Sequence, residues 1–191
     1  MSLRYPLVEL LNAAFYLYFF WQLGASFEFL ALAILTSSLL VIFFIDLDHQ
    51  IIPDSITLPG MVIGLGVSFL PEGIGIVNAL IGLLAGGGSL YLIAILGDWL
   101  FKKESMGGGD IKMAAMLGAF LGWQKVAFVF IAASAIGLVV SVAVMCISSK
   151  MRQTRIIPFG PFLASAAVLA IIYGDRIIHW YLITVVGITP W

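Results

Sequence analysis

Long apolar runs, broken by short polar stretches, recur from one end of the chain to the other. They predict helices at about 6–24, 27–45, 55–71, 75–100, 108–123, 126–148 and 158–174. Several runs approach the roughly 20 residues needed to cross about 30 Å of hydrocarbon. A last segment, RIIHWYLITVVGITPW, follows Asp175. It is short and rich in Trp and His, which suits a helix lying at an interface or crossing only in part. A membrane barrel would instead show alternation in segments of about 10 residues, and none is present. No linker or shift of composition divides the chain. The pattern therefore predicts one membrane-embedded domain over residues 1–191, an all-α polytopic bundle of seven or eight membrane segments.

Composition agrees. The 191 residues are 62% hydrophobic and 10% charged, with a mean hydropathy of +1.15, where a soluble domain carries about 25% charged residues. A net charge of −1 without a basic cluster gives no reason to expect nucleic acid. The single cysteine, Cys146, lies in an apolar run. It supports neither a disulfide framework nor a zinc set, and reads as a small hydrophobe facing lipid or another helix. The opening MSLRYPLVELL has no small-residue cleavage site and reads as part of the first span.

The basic residues give an orientation. Arg4, Lys102, Lys103, Lys112, Lys150, Arg152 and Arg155 fall on one side, and Lys125 and Arg176 on the other. The first side is expected to be cytoplasmic, together with the N-terminus and the two polar loops 46–54 and 101–110. The helices leaving those loops offer only about 16 apolar positions each, which suits loops dipping below the membrane surface.

Ionisable groups at membrane depth mark functional sites by default. Glu28, Glu72 and Asp175 sit at turns, while Asp98 and Glu104 flank two lysines, so hydration or capping accounts for these five. Glu9 reads as polar glue to a neighbouring helix. Two stretches remain: DLDHQIIPDSITLP at 46–59 and MGGGDIK at 106–112. In the first, Asp46 follows the apolar LLVIFFI and is the acid expected to be partly desolvated. Asp48 and His49 read equally as hydrated loop groups, and Asp54 or Ser55 is placed to cap the third helix. In the second, Asp110 reads either as an N-cap or as a site residue. One cap does not need three preceding glycines, whereas a slot admitting an extended peptide does, because glycine lets another backbone approach without meeting a Cβ.

Two acids on one membrane face can form a dyad. Hydrolysis of a peptide needs one group to activate water and another to protonate the carbonyl and the leaving amine. Two close carboxyls share one proton. Asp46, at the negative end of its helix, is expected to hold that proton, and Asp110, at the positive start of its own, to act as base. Lys112, two positions on, reads either as a cation acting on Asp110 or as a membrane anchor.

Gly107, Gly108, Gly109 and Asp110 fit the GxGD pattern of polytopic membrane aspartyl proteases. With the upstream DLDHQIIPDSITLP, and with RYPLVELL, DIKMAAMLGAFLGW and IPFGPFLA, the chain resembles the type IV prepilin peptidases over almost its whole length. The resemblance implies catalytic aspartates at Asp46 and Asp110. Asp46 matches because the family's first acid stands eight positions before the acid or amide after Ile/Leu-Pro, here Asp54. Asp48, Asp54 and Lys112 fall on motif positions that imply supporting roles, as do Gly107, Gly108 and Gly109. The implied substrates are precursors of type IV pilins or of type II secretion pseudopilins, cut after a glycine at the cytoplasmic face of the bacterial inner membrane. The leader of such a precursor is short and basic, so the acids of 46–54 are expected to attract it, and cleavage to fall with added salt.

Many members of that family begin with a further helix and a segment with two CxxC pairs, associated with methylation of the new N-terminus. RYPLVELL starts here at Arg4, so the chain reads as a naturally short member or one trimmed at its N-terminus. The resemblance then implies a peptidase without a cofactor or metal, S-adenosylmethionine being needed only if a methyltransferase portion exists in the full-length protein. The residues also admit two other classes: a proton-coupled carrier using aspartate relays, and a non-catalytic pilin-binding scaffold. Clustering of the acids at one face and the lack of an inverted repeat speak against the carrier. Retention of both acids speaks against the scaffold.

Overall fold

Every apolar run becomes a helix. In the computed structural model, which describes residues 4–71, 73–103, 106–147 and 158–187, α1 spans Arg4–Leu23, α2 Phe27–His49, α3 Asp54–Val67, α4 Ile76–Phe101, α5 Gly108–Ile147 and α6 Gly160–Tyr181. A wider-wound turn, Leu182–Val186, extends α6. Ser26 caps α2 by accepting the N–H of Phe29 at 3.0 Å. Gln50 ends α2 in the left-handed conformation (φ 55°), its N–H bonded to the Asp46 carbonyl, and Lys102 ends α4 in the same way (φ 52°).

The all-α expectation holds, while of the seven or eight membrane segments expected, length and hydropathy alone pick out four. Four stretches are long and apolar enough to cross a membrane: Phe27–His49, Ile76–Phe101, Gly108–Val144 and Gly160–Val185. α3 has only 14 residues. The two helices expected at 108–123 and 126–148 are arms of one 40-residue element, interrupted at Gly122 by a conformation (φ 78°, ψ 169°) open to glycine alone. No loop is needed there, so Gln124 and Lys125, which looked like a polar break, stay helical.

Two further boundaries move for a physical reason. α6 does not end before Asp175 but runs on to Tyr181, so the described part of the expected last segment continues the same helix. The Asp175 carboxylate takes Lys125 Nζ at 2.8 Å, so its charge is met from α5 and the helix continues. α2 likewise runs on through Asp46 to His49, which puts these residues on a final helical turn and not in a loop. Glu9 is exposed on α1, and the polar glue between α1 and α2 comes instead from Asn12, Tyr16 and Ser37, with Ser37 Oγ 2.6 Å from the Tyr16 hydroxyl and 3.1 Å from Asn12 Oδ1. Cys146 is exposed on the second arm of α5. Glu72, Glu104, Lys150, Arg152 and Arg155 lie outside the described residues.

Close backbone approach sets the packing. Gly82 lies against the backbone of Gly118, and Gly86 against that of Ala114, so α4 and the first arm of α5 are antiparallel and nearly in contact. Gly60 against Met116 and Gly64 against Ala119 lay α3 parallel to the same arm. The second arm returns antiparallel to α6, pairing Gly137 with Phe162 and Lys125 with Gly174. Thus α5 folds back at Gly122. The buried core between these helices is built from Leu35, Leu39, Ile42, Met113, Met116, Leu117 and Leu163. Arg4, Asp46, Asp110 and Lys112 come together at one end, while Lys125 and Arg176 occupy the opposite one.

Candidate active site

The last turn of α2 carries Asp46, and the first turn of α5 carries Asp110. Between α2 and α3 the chain turns at Gln50 and then runs extended to Pro53 (φ −69°, ψ 126°), whose fixed φ starts α3. This brings the two aspartates, Asp54 and the glycine run 107–109 around one cleft of about 250 Å³.

Asp46 is buried, with 5% of its surface exposed, and its carboxylate accepts the N–H of Gly160, the first residue of α6. A Cβ on Gly160 would stand 2.5 Å from Asp46 Oδ2, so only glycine lets that N–H come close enough. Asp46 therefore sits at the negative end of α2 and at the positive start of α6 together. The helix-end argument that reserved the proton for Asp46 no longer separates the two acids.

Asp110 is half-buried and is not a cap, because α5 has already begun at Gly108. Its Oδ1 is buried without a hydrogen-bond partner among the described residues. The charge of Asp46 acts on Asp110 directly, so the two groups are electrostatically coupled. Neither faces a cation among the described residues.

The supporting residues sort themselves by partner. Lys112 does not turn to Asp110; its Nζ lies 2.6 Å from Asp54 Oδ2, tying the start of α3 to the start of α5. Asp54 is thus an ion-pair partner in the first turn, the N-cap position being held by Pro53. Asp48 pairs with Arg4 of α1. The three glycines also differ. Gly108 has open space where a Cβ would be, and one on Gly107 would meet only Asp110 Oδ2, at 3.5 Å. A Cβ on Gly109 would stand 2.8 Å from the Cβ of Ile52. Two positions that the acids alone did not reveal, Ile52 and Gly160, belong to this site. The only sequence signals were the proline after Ile52 and the glycine within IPFGPFLA.

Larger cavities, of about 280 and 410 Å³, open at the opposite end around the Lys125–Asp175 pair. They hold no pair of acids without a cation. The fold and cleft thus define a polytopic helical membrane protein with a paired-aspartate site at one end. The chain belongs to the type IV leader peptidase family, whose model matches residues 33–142, a span that contains both aspartates.

A prepilin leader peptidase/N-methyltransferase of Aeromonas salmonicida is 39% identical over 193 residues, covering 97% of this chain and 63% of the relative. The protein of the same description from Pseudomonas putida is 40% identical over 181 residues, covering 93% and 61%. That from Neisseria gonorrhoeae is 35% identical over 189 residues, covering 95% and 63%. The chain spans a little under two thirds of the length of the curated relatives it matches. No solved structure matches it.

Proposed function

We propose that this protein is an aspartic peptidase that removes the leader from type IV prepilins or type II secretion pseudopilins. The cut falls after a glycine at the cytoplasmic face of the bacterial inner membrane. One observation carries the reading: two aspartates from separate helices line one cleft, are coupled to each other and face no cation among the described residues. Family membership supports it, as does the printed description of the relatives as prepilin leader peptidases.

In this mechanism the two carboxyls hold one proton between them, and that proton belongs to the pair. The ionised member takes a proton from a water in the cleft as the water attacks the scissile carbonyl. The protonated member donates to the carbonyl oxygen, and a proton is then passed to the leaving amine. Asp110 Oδ1 is left without a partner by the described residues, so this acid keeps acceptor capacity that a small shift at the cleft would offer to the water. The open space beside Gly108 leaves room for an extended peptide backbone. The supporting residues do structural work: Lys112 with Asp54 holds the two helix starts together, and Arg4 with Asp48 pins α1 to the last turn of α2.

The whole chain acts as one membrane-embedded peptidase domain. α1, α3 and both arms of α5 join the other helices as membrane-embedded segments, seven in all. Peptide hydrolysis by this dyad needs no cofactor, and S-adenosylmethionine enters only with a methyltransferase portion of a longer protein. The test is direct. Purified protein in detergent is incubated with a prepilin, and leader loss is read as a mass shift for wild type, Asp46→Ala and Asp110→Ala. Cleavage by wild type alone is expected. An uncleaved prepilin, or full cleavage by either variant, overturns the reading.

A further inference from the structure

Ile52 lies where the starts of α5 and α6 both reach the link between α2 and α3. It is 8% exposed and lies in the extended link between α2 and α3, while its neighbour Ile51, 60% exposed, faces the opening. One end of its side chain meets the start of α5: a Cβ on Gly109 would stand 2.8 Å from Ile52 Cβ and 3.5 Å from Cγ1. The other end meets the start of α6: a Cβ on Gly160 would stand 3.1 Å from Ile52 Cδ1. Gly109 immediately precedes Asp110, and Gly160 donates its N–H to Asp46. The two helix starts that set the positions of the two carboxyls are thus separated by one aliphatic side chain, and each presents to it a residue without a Cβ.

We infer that Ile52 is a positioning residue, a spacer whose volume fixes the separation of the Asp46 and Asp110 carboxyls. Its side chain has no polar atom, so it takes no part in proton transfer. A β-branched residue suits the task, because its χ1 is stiff and holds the Cβ–Cγ1–Cδ1 line that touches both walls. Shortening it leaves a void between α5 and α6, which close-packed surroundings fill only partly. The carboxyls then drift from the geometry in which one water serves both, and a misplacement of about 1 Å costs on the order of 100-fold in rate. Ile52 lines the cleft but is 8% exposed against 60% for Ile51, so it offers an entering peptide little surface and the larger effect is expected in kcat.

This inference rests on the proposed peptidase activity, and the experiment separates the two. Cleavage of a prepilin by purified protein in detergent is measured as kcat and KM for wild type, Ile52→Val, Ile52→Leu and Ile52→Ala, with Asp46→Ala and Asp110→Ala as controls. Melting and gel filtration report the folded fraction. Ile52→Ala is expected to lose about 100-fold in kcat with KM within about twofold. Ile52→Val, which keeps the contact to Gly109 and loses only the methyl facing Gly160, is expected to retain most of kcat.

A folded Ile52→Ala with wild-type kcat, or a loss carried wholly by KM, overturns the spacer. So does a loss no larger than the unfolded fraction. Should Ile52→Ala not fold, Ile52→Leu decides. Equal in volume but differently branched, it is expected to lose at least about tenfold in kcat, and wild-type kcat in Leu and Val alike refutes the inference. If wild type itself leaves prepilin uncut, the peptidase reading falls. If wild type cuts, the aspartate variants do not, and Ile52→Ala does, the spacer alone falls.

Discussion

Four of the aspartates at one end of the bundle divide into two kinds. Asp48 and Asp54 are exposed, and each faces a cation, Arg4 and Lys112 respectively. Asp46 and Asp110 lie deeper and line one cleft, where the charge of Asp46 acts on Asp110. The outer pairs join residues distant in sequence on different helices, and their charge is spent on that contact. The inner pair has no cation among the described residues to hold its charge, and one of its oxygens has no partner. Opposite charges make a strut; two like charges sharing a proton make a site that can move one. The same residue type, a few positions apart in the stretch 46–54, finds both kinds of surroundings.

The comparison breaks if charge removal does not sort the same way. Asp46→Asn and Asp110→Asn are each expected to lower kcat/KM for prepilin cleavage by at least about 10³-fold, the upper range for general acid–base catalysis. Asp48→Asn and Asp54→Asn are expected to stay within about threefold, with stability lowered by less than about 1 kcal/mol, as for exposed ion pairs. A dead Asp54→Asn beside an active Asp46→Asn would reverse the assignment.

A smaller effect tests how the inner pair is held. Gly160→Ala puts a methyl against Asp46 Oδ2 and pushes the start of α6 off its hydrogen bond. Its kcat is expected to fall by about 100-fold, and a variant with wild-type kcat would mean that the Gly160 N–H does not matter to Asp46. The smallest effect concerns salt. Asp48 and Asp54 had been expected to attract a basic leader, yet Arg4 and Lys112 already face them. Raising ionic strength from about 0.05 to 0.3 M is therefore expected to change KM by less than about threefold, since little unpaired surface charge is left to screen. A steep rise in KM would show that the outer pairs open to receive the leader.

The helical content and both inner acids were legible because they depend on local facts: apolar run length, glycine, proline and charge. What was not legible depends on partners far away in the chain. Asp175 looked like the end of a helix because its neutralising Lys125 stands 50 residues earlier. Gln124 and Lys125 looked like a loop because Gly122 can turn the chain without one. Ile52 and Gly160 carry no chemistry of their own, and acquire a role only when folding brings α5 and α6 to either side of the same link. Lys112 was ambiguous for a similar reason: its neighbour in sequence is Asp110, but its neighbour in space is Asp54.

The seam between α4 and α5 has a mechanical consequence. Gly82 and Gly118 bring two backbones together with no side chains between them, so the arm that ends in Asp110 has nothing soft to yield against. Asp46 has a different mounting, on the last turn of α2 beneath the first residue of α6, which is tied to it by one hydrogen bond. The cleft is therefore expected to be stiffer on one side than on the other, the α5 start that carries Asp110 yielding less than the turn of α2 that carries Asp46.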